Sequence, residues 1–509
     1  MSDWALTLAV FLPTVGALVI ALVPGDRDRL VRGLGILFTA VPLVIGIALL
    51  FGYDFSAPGA FGDGSAGQAL QYEVNASWIS VIGARYHLGI DGVSLPLLEL
   101  TLLLGFLCMV YTWRYLPEPG RPKAFVGLML LLQTGMAGTF VAFDLVLFFV
   151  FWELVLVPMY FLIGLWGGPN REYAAIKFFL YTLFGSVFML LGFLAMYFRA
   201  DPHTFDMIAL QQAGFSQDFQ LLVFAGLFLG FAIKVPMWPF HTWLPDAHTE
   251  APTVGSVVLA GILLKMGTYG FVRIALPILP EASRVWAPWI GVLAVIAIVY
   301  AALACLAQRD LKRLIAFSSV GHMGFVMLGI ATLTDVGINA AIFGMVAHGI
   351  ITGMLFFLAG SVHERYHTRE IAEIGGGMLQ KMPALASILA FTAIASLGLP
   401  GLAGFWGEVM ALLSSYNPAE GLSLGLFRTL MVFGGIGTIL TAGYFLWMLQ
   451  RVNLGTVPDR WREKTLSDVT AAEYLSWAPL LVATLLLGIF PRLIFGVTSE
   501  AVGTLVALF

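Results

Sequence analysis

Residues 143–158 read FDLVLFFVFWELVLVP, and this stretch decides the fold. Only two of its side chains are charged, Asp144 at the start and Glu153 in the middle. A helix of such composition is stable in lipid, because its backbone groups bond internally while its side chains contact apolar chains. The stretch therefore predicts a membrane-spanning helix with one carboxylate deep in the bilayer.

The composition extends this interpretation to the whole chain. Of its 509 residues, 59% are hydrophobic and only 11% are charged, whereas soluble proteins have about 25% charged residues. So few charges cannot cover the surface of a soluble protein of this size. The composition excludes a soluble enzyme, a disordered chain and a nucleic-acid binder, and it favours a polytopic membrane protein.

Apolar runs separated by charges or by glycine and proline predict an all-α membrane protein of about 14 transmembrane helices. The predicted spans are 4–23, 30–51, 92–113, 124–143, 145–165, 174–198, 219–240, 253–276, 286–305, 312–331, 336–360, 384–415, 427–449 and 472–490. Eighteen of the 26 Lys and Arg residues fall in loops after odd-numbered spans and six after even-numbered spans. Because positive charge marks the cytoplasmic side, both termini are expected on the outer side.

Two segments of the chain are related by a shift of 166 residues, which pairs Asp144 with Asp310 and Leu162 with Leu328. The shift corresponds to five spans, an odd number, so the two units are expected to have opposite topology. The predicted division has four parts. Residues 1–123 form three N-terminal helices with an outward loop at 52–91. Residues 124–276 and residues 286–450 form two inverted five-helix repeats, and residues 451–509 form a C-terminal helix and tail.

Two spans carry helix-breaking residues at corresponding places. The seventh span contains Pro236 and Pro239 directly after Lys234, and the twelfth contains the run LGLPGLAG at 397–404. Proline removes a backbone donor, and such breaks persist at membrane depth only beside protein or a wet cavity. We predict two discontinuous helices, with a simple packing kink as the alternative for each.

We single out four charges within predicted spans, Glu153, Lys234, Lys265 and Glu408. Ionisable groups at this depth are costly, and they usually pair or line a path for ions or protons. Our hypothesis is a switch in which Lys234 keeps its proton while Glu153 is near and passes it towards Lys265 when Glu153 withdraws. The alternative is a static ion pair.

Histidines supply further candidates. His322 and His348 fall within spans ten and eleven and could act as secondary relays, although a buried histidine is often only hydrogen-bonded. His241 and His248 flank a predicted cytoplasmic helix end, and their spacing without further ligands is too weak to indicate a metal site. The two cysteines cannot hold an iron–sulfur cluster, so no cofactor or metal site is predicted in this chain.

Two longer motifs carry a family resemblance. The run KVPMWPFHTWLPDAHTEAP at 234–252 and the run LAGILLKMGTYG at 259–270, together with GFWGE at 404–408, resemble the antiporter-like membrane subunits of NADH–quinone oxidoreductase, respiratory complex I. The resemblance covers nearly the whole chain. It implies a 14-helix proton-translocating module whose energy comes from NADH oxidation and quinone reduction in other subunits.

The resemblance also implies roles for individual residues. Glu153 and Lys234 form the controlling pair, Lys265 is the central relay, and Glu408 lies on the outward path. His322 and His348 match positions on the same axis. Flavin mononucleotide and iron–sulfur clusters are implied only in partner subunits, quinone is bound elsewhere in the complex, and the partners are other membrane-arm subunits, including other antiporter-like ones.

Two alternatives remain open. A subunit of a multisubunit sodium/proton antiporter shares the fold, but those relatives commonly have Lys where this chain has Glu408. A purely structural membrane subunit would use the charges only for packing. Length and composition favour a bacterial plasma membrane over a mitochondrion.

Overall fold

The computed structural model describes residues 4–62 and 69–509. In that part of the chain, thirteen helices are long and apolar enough to cross a membrane. They are Ala5–Leu22, Asp28–Phe51, Ser94–Thr112, Pro122–Val141, Leu145–Trp166, Arg171–Arg199, Gln217–Lys234, Thr253–Ile278, Pro280–Leu306, Leu311–Ala331, Asp335–Tyr366, Leu424–Val452 and Ala471–Ile489. Each of these helices coincides with one predicted span. For most helices, the observed and predicted ends differ by only a few residues.

The remaining predicted span, the twelfth, consists of two shorter helices, Pro383–Ser396 and Ala403–Tyr416. The connecting turn contains Gly398 and Gly401, whose φ angles of 83° and 91° are unfavourable for any residue with a side chain. The predicted break is confirmed, and so is the predicted all-α membrane fold, to which the structure adds one β-hairpin.

The seventh span is also discontinuous. Its helix ends at Lys234, and a second helix, Trp243–Glu250, begins after an irregular stretch. The indole Nε1 of Trp243 donates a hydrogen bond of 2.9 Å to the carbonyl of Ile233. The amide of Met237 donates to the carbonyl of Ala232, which Pro236 cannot serve. The indole of Trp243 therefore takes the place of Met237 at Ile233, and the break is stabilised internally.

The two segments related by the 166-residue shift begin in the same way. Asp144 caps the fifth span by accepting hydrogen bonds from two backbone amides, and Asp310 caps the tenth span likewise from one. Each aspartate also forms an antiparallel backbone bridge to a segment about 60 residues later, Asp144 with Asp206 and Asp310 with Glu370. This shared local structure agrees with a repeat, although the exact repeat boundaries stay a prediction.

The outward loop predicted at 52–91 contains strands β1 (Gln71–Ile79) and β2 (Ala84–Ile90), paired as an antiparallel hairpin. Residues 63–68 of this loop lie outside the described residues. His87 on β2 is buried between Glu73 and Asp206, at 2.9 Å and 2.6 Å from their carboxylates. It therefore anchors the hairpin and is not the free loop residue that its position in the sequence suggests.

The tail after the last span is also structured. It forms the helix Arg492–Val506, which the sequence does not predict. In the described residues, four further short α-helices lie between spans: Met207–Gln211, Ile371–Ile374, Met378–Lys381 and Asp459–Arg462.

Candidate functional site

The eighth span, Thr253–Ile278, lies at the centre of the molecule, and its most apolar 18-residue window is entirely buried. Two π-helical turns, Leu259–Leu263 and Phe271–Ala275, lie on either side of Lys265. Such turns loosen the regular hydrogen bonding of a helix and occur frequently at functional sites. Here the carbonyl of Ala260, in the first π-turn, accepts a hydrogen bond of 2.5 Å from Lys265 Nζ.

Lys265 is also hydrogen-bonded to His348 of the eleventh span, with 2.5 Å between Nζ and Nδ1. Lys265 is inaccessible to solvent and His348 is only 6% exposed. Both groups can bind and release a proton. This contact is therefore a possible transfer step, and it joins two residues that the sequence predicts on one axis.

His322 and Glu408 form a second pair on the same side of the molecule. The distance between His322 Nδ1 and Glu408 Oε1 is 2.8 Å, and His322 Nε2 is 3.0 Å from the hydroxyl of Ser396. Ser396 is the last residue of the helix before the break in the twelfth span. The break therefore brings both a hydroxyl and a carboxylate to His322.

A cavity of about 30 Å³ connects the two pairs. Its lining includes His322, His348, Thr352 and Glu408, and the two imidazole rings are 5.7 Å apart between centroids. Three buried atoms of these residues, His348 Nε2, Thr352 Oγ1 and Glu408 Oε2, have no hydrogen-bond partner in the part of the chain that the structure describes. A polar cavity of this size has room for a water molecule, which could bridge the Lys265–His348 and His322–Glu408 pairs.

The predicted Glu153–Lys234 pair is placed differently. The two residues interact electrostatically, but no ion pair within 4.0 Å joins them in the described chain. The Lys234 ammonium lies 5.1 Å from the centre of the Trp152 ring, and Glu153 Oε1 is buried without a hydrogen-bond partner among the described residues. The two charges are therefore farther apart than an ion pair, and the switch between them stays a hypothesis.

Local structure explains how these two charges can be held apart. Glu153 lies just before an interruption of the fifth span at Val155, which divides it into Leu145–Leu154 and Leu156–Trp166. Lys234 is the last residue before the break in the seventh span. Each charge thus lies beside a local irregularity, where a small backbone change can move the side chain.

His248 is a candidate that the sequence interpretation misses. It was expected at a cytoplasmic helix end, yet it is 0% exposed and its ring stacks on Phe356 at 4.4 Å. Neither ring nitrogen has a hydrogen-bond partner among the described residues, and the charges of Lys312 and Lys265 both act on the ring. The feature of the sequence that could have identified His248 is its position between the broken seventh span and the span that carries Lys265.

Arg273 is a second correction: it is one of the six charges counted in loops after even-numbered spans, although it falls at the end of the predicted span 253–276. It is buried in the eighth span, two turns beyond Lys265, and its guanidinium donates two hydrogen bonds, of 2.7 Å and 2.5 Å, to Asp91. Asp91 directly follows strand β2. A buried bidentate pair of this kind fixes geometry, so it holds the hairpin against the C-terminal part of the central helix.

Comparison with known proteins agrees with this geometry. Residues 142–434 match the family model described as NADH:quinone oxidoreductase/Mrp antiporter, transmembrane. The chain is 41% identical to NADH-quinone oxidoreductase subunit M of Rhodobacter capsulatus, over 98% of this chain and 96% of that protein. It is 39% identical to NAD(P)H-quinone oxidoreductase chain 4 1 of a Nostoc species, over 96% of this chain and 88% of that protein.

Solved structures give the same result. A chain of respiratory complex I from Thermus thermophilus superposes with a TM-score of 0.86 at 30% identity, covering 99% of this chain and all of that one. A chain of the Mrp complex from a Dietzia species has a TM-score of 0.83 at 24% identity, covering 98% of this chain but 52% of that chain. The second similarity shows a shared fold alone.

The fold and the buried polar residues thus define an antiporter-like membrane subunit, with broken helices beside a central lysine. Within that class, the chain belongs to the family of NADH-quinone oxidoreductase subunit M. The family resemblance predicted from the sequence is confirmed.

Proposed function

We propose that this chain translocates protons across the membrane as a subunit of an NADH–quinone oxidoreductase. The observation that carries the proposal is the hydrogen-bonded arrangement from Lys265 through His348 and the small cavity to His322 and Glu408. Each group can accept or release a proton, and one water molecule suffices to close the gap. A purely structural arrangement would instead be expected to satisfy the three unpaired polar atoms.

Glu153 and Lys234 act in this scheme as the control. A carboxylate about 4 Å from an ammonium stabilises it by several kcal/mol at an effective dielectric constant near 20. When Glu153 approaches, Lys234 retains its proton; when Glu153 withdraws, Lys234 can pass the proton towards Lys265. His248 lies between Lys234 and Lys265 in the chain, and the charge of Lys265 acts on its ring. It is the candidate intermediate for the proton transfer between the two lysines.

Glu408 takes the proton at the outward end. It is hydrogen-bonded to His322 through one oxygen, while the other oxygen, Oε2, lies at the cavity without a partner. A proton arriving through the cavity could therefore bind Oε2 before leaving for the outer side. The six residues of the proposed axis are Glu153, Lys234, Lys265, His348, His322 and Glu408.

The driving energy would come from partner subunits. NADH oxidation by flavin mononucleotide and iron–sulfur clusters, and quinone reduction, would take place there, and this chain would have no redox site of its own. The partners would be other membrane-arm subunits, including antiporter-like ones, in a bacterial plasma membrane with both termini outside. The two repeats, at 124–276 and 286–450, would supply the two halves of the proton path.

The test is gentle purification of the tagged chain from its own membranes, followed by assays for flavin and for NADH–quinone reductase activity. We expect both to co-purify with the chain. If neither does, and liposomes that contain the purified chain instead exchange sodium for protons without NADH, the chain is an antiporter component and the proposal is wrong.

A further inference from the structure

Glu99 lies outside the proposed axis, in an apolar groove on the side of the molecule. The groove has a volume of about 330 Å³ and is formed by the second, third and eleventh spans together with the C-terminal helix. Among the described residues that line the groove, Glu99 is the one charged side chain, and the others, such as Leu43, Leu103 and Ile350, are apolar. Its carboxylate is pressed against Gly46, where an added Cβ would lie 2.9 Å from Oε1.

The carboxylate of Glu99 differs from the other membrane-embedded carboxylates described above. Glu408 has His322, Asp91 has Arg273, and Glu153 has Lys234 within electrostatic range. Among the described residues, Glu99 Oε1 is buried without a hydrogen-bond partner, and no cation interacts with it. An unpaired carboxylate at membrane depth is costly, so a partner from outside the chain would stabilise it.

The depth of Glu99 argues for a protein partner. It lies five residues after Ser94, where the third span begins, and thus about 7.5 Å inside the helix end. The next residue, Leu100, packs on Gly349, beside His348 of the axis. Lipid head groups lie in the interfacial layer outside the hydrocarbon, whereas a lysine or arginine on a neighbouring helix can reach this level.

We propose that the groove at Glu99 receives a transmembrane helix of a neighbouring subunit, whose lysine or arginine side chain pairs with Glu99. The inference rests on the proposed function, because that function places the chain in a membrane arm beside other subunits. A second groove, between the sixth and seventh spans, provides a contrast. It has a volume of about 420 Å³ and is lined by Leu191 and Leu222, among others, and none of its described lining residues is charged. An acyl chain would suffice to fill it.

The test uses the intact complex purified from membranes, with the photoreactive residue p-benzoylphenylalanine at Leu103, one turn beyond Glu99 in the groove. Leu191, in the uncharged groove, is the matched control position. We expect Leu103 to cross-link to a membrane helix of a neighbouring subunit, in a peptide that contains Lys or Arg, and Leu191 to give lipid adducts. Lipid adducts alone at both positions would overturn the proposal.

Charge reversal provides a second measurement. Glu99→Lys should reduce the fraction of the chain retained in the detergent-extracted complex by about tenfold or more, a change of about 1.4 kcal/mol. Glu99→Gln should have a smaller effect, and the control Leu191→Lys should leave retention unchanged. Equal retention of Glu99→Lys and Leu191→Lys, in a complex that still contains flavin, would overturn this inference and leave the proposed function intact.

Discussion

At the Lys234 end of the axis the ammonium faces an aromatic ring, whereas at the other end the Glu408 carboxylate is hydrogen-bonded to His322. The first end holds two opposite charges that interact without forming an ion pair. The second end holds a connected set of groups around a small polar cavity. The two ends are therefore suited to different tasks, although both lie beside a broken helix.

The difference indicates where movement is needed. Transfer at the Lys234 end depends on the approach and withdrawal of Glu153, which requires local rearrangement around Val155 or the seventh-span break. Transfer at the Glu408 end needs only a water molecule and a rotation of existing hydrogen bonds. We therefore expect control of the pump at the first end and conduction at the second.

Lys265 joins the two ends, and its removal should have the largest effect. Lys265→Met should lower proton translocation by about 100-fold or more, since in the described chain no other titratable side chain is hydrogen-bonded to His348. Lys265→Arg keeps the charge but cannot release a proton, so it should also fail. The measurement is NADH-driven acidification of liposomes containing the purified complex; pumping restored by arginine would favour a purely structural lysine.

Glu408→Gln should have an intermediate effect. The amide keeps a hydrogen bond to His322 but cannot take up a proton, so pumping should fall about tenfold or more while the complex remains assembled. Glu408→Asp, which retains the carboxylate, is the matched control and should recover part of the loss. An unchanged proton-to-NADH ratio in Glu408→Gln would remove Glu408 from the path.

Ser396→Ala should have the smallest effect of the three. It removes the hydroxyl 3.0 Å from His322 Nε2 but leaves the His322–Glu408 contact in place. The loss of one hydrogen bond, worth about 1 kcal/mol, corresponds to at most about a fivefold change in pumping. A loss as large as that of Lys265→Met would mean that Ser396, and not Glu408, is the essential partner of His322.

Most of the fold could be predicted from the sequence because lipid allows few backbone arrangements. Apolar runs located the spans, and Pro236, Pro239 and Pro400 located both breaks. The first π-turn, Leu259–Leu263, could not be predicted, since the run from Leu259 to Gly270 contains no helix-breaking proline.

Part of the candidate site could also be predicted from the sequence, because a membrane-spanning chain contains few charged residues. Charges in apolar runs are conspicuous, so Glu153, Lys234 and Lys265 were identified from sequence. His248 and Arg273 were missed because each lies near a predicted span end, where a polar residue is expected to meet water. Only the fold shows that the chain continues around them and buries both.

The most direct test of the account is the proton-to-NADH ratio of the complex carrying Glu153→Gln, measured in liposomes with NADH oxidation followed in the same sample. The amide has nearly the same shape but no charge to hold a proton on Lys234. The account predicts that the variant chain inserts and assembles while proton translocation is lost. Full pumping by the Glu153→Gln complex would contradict the account.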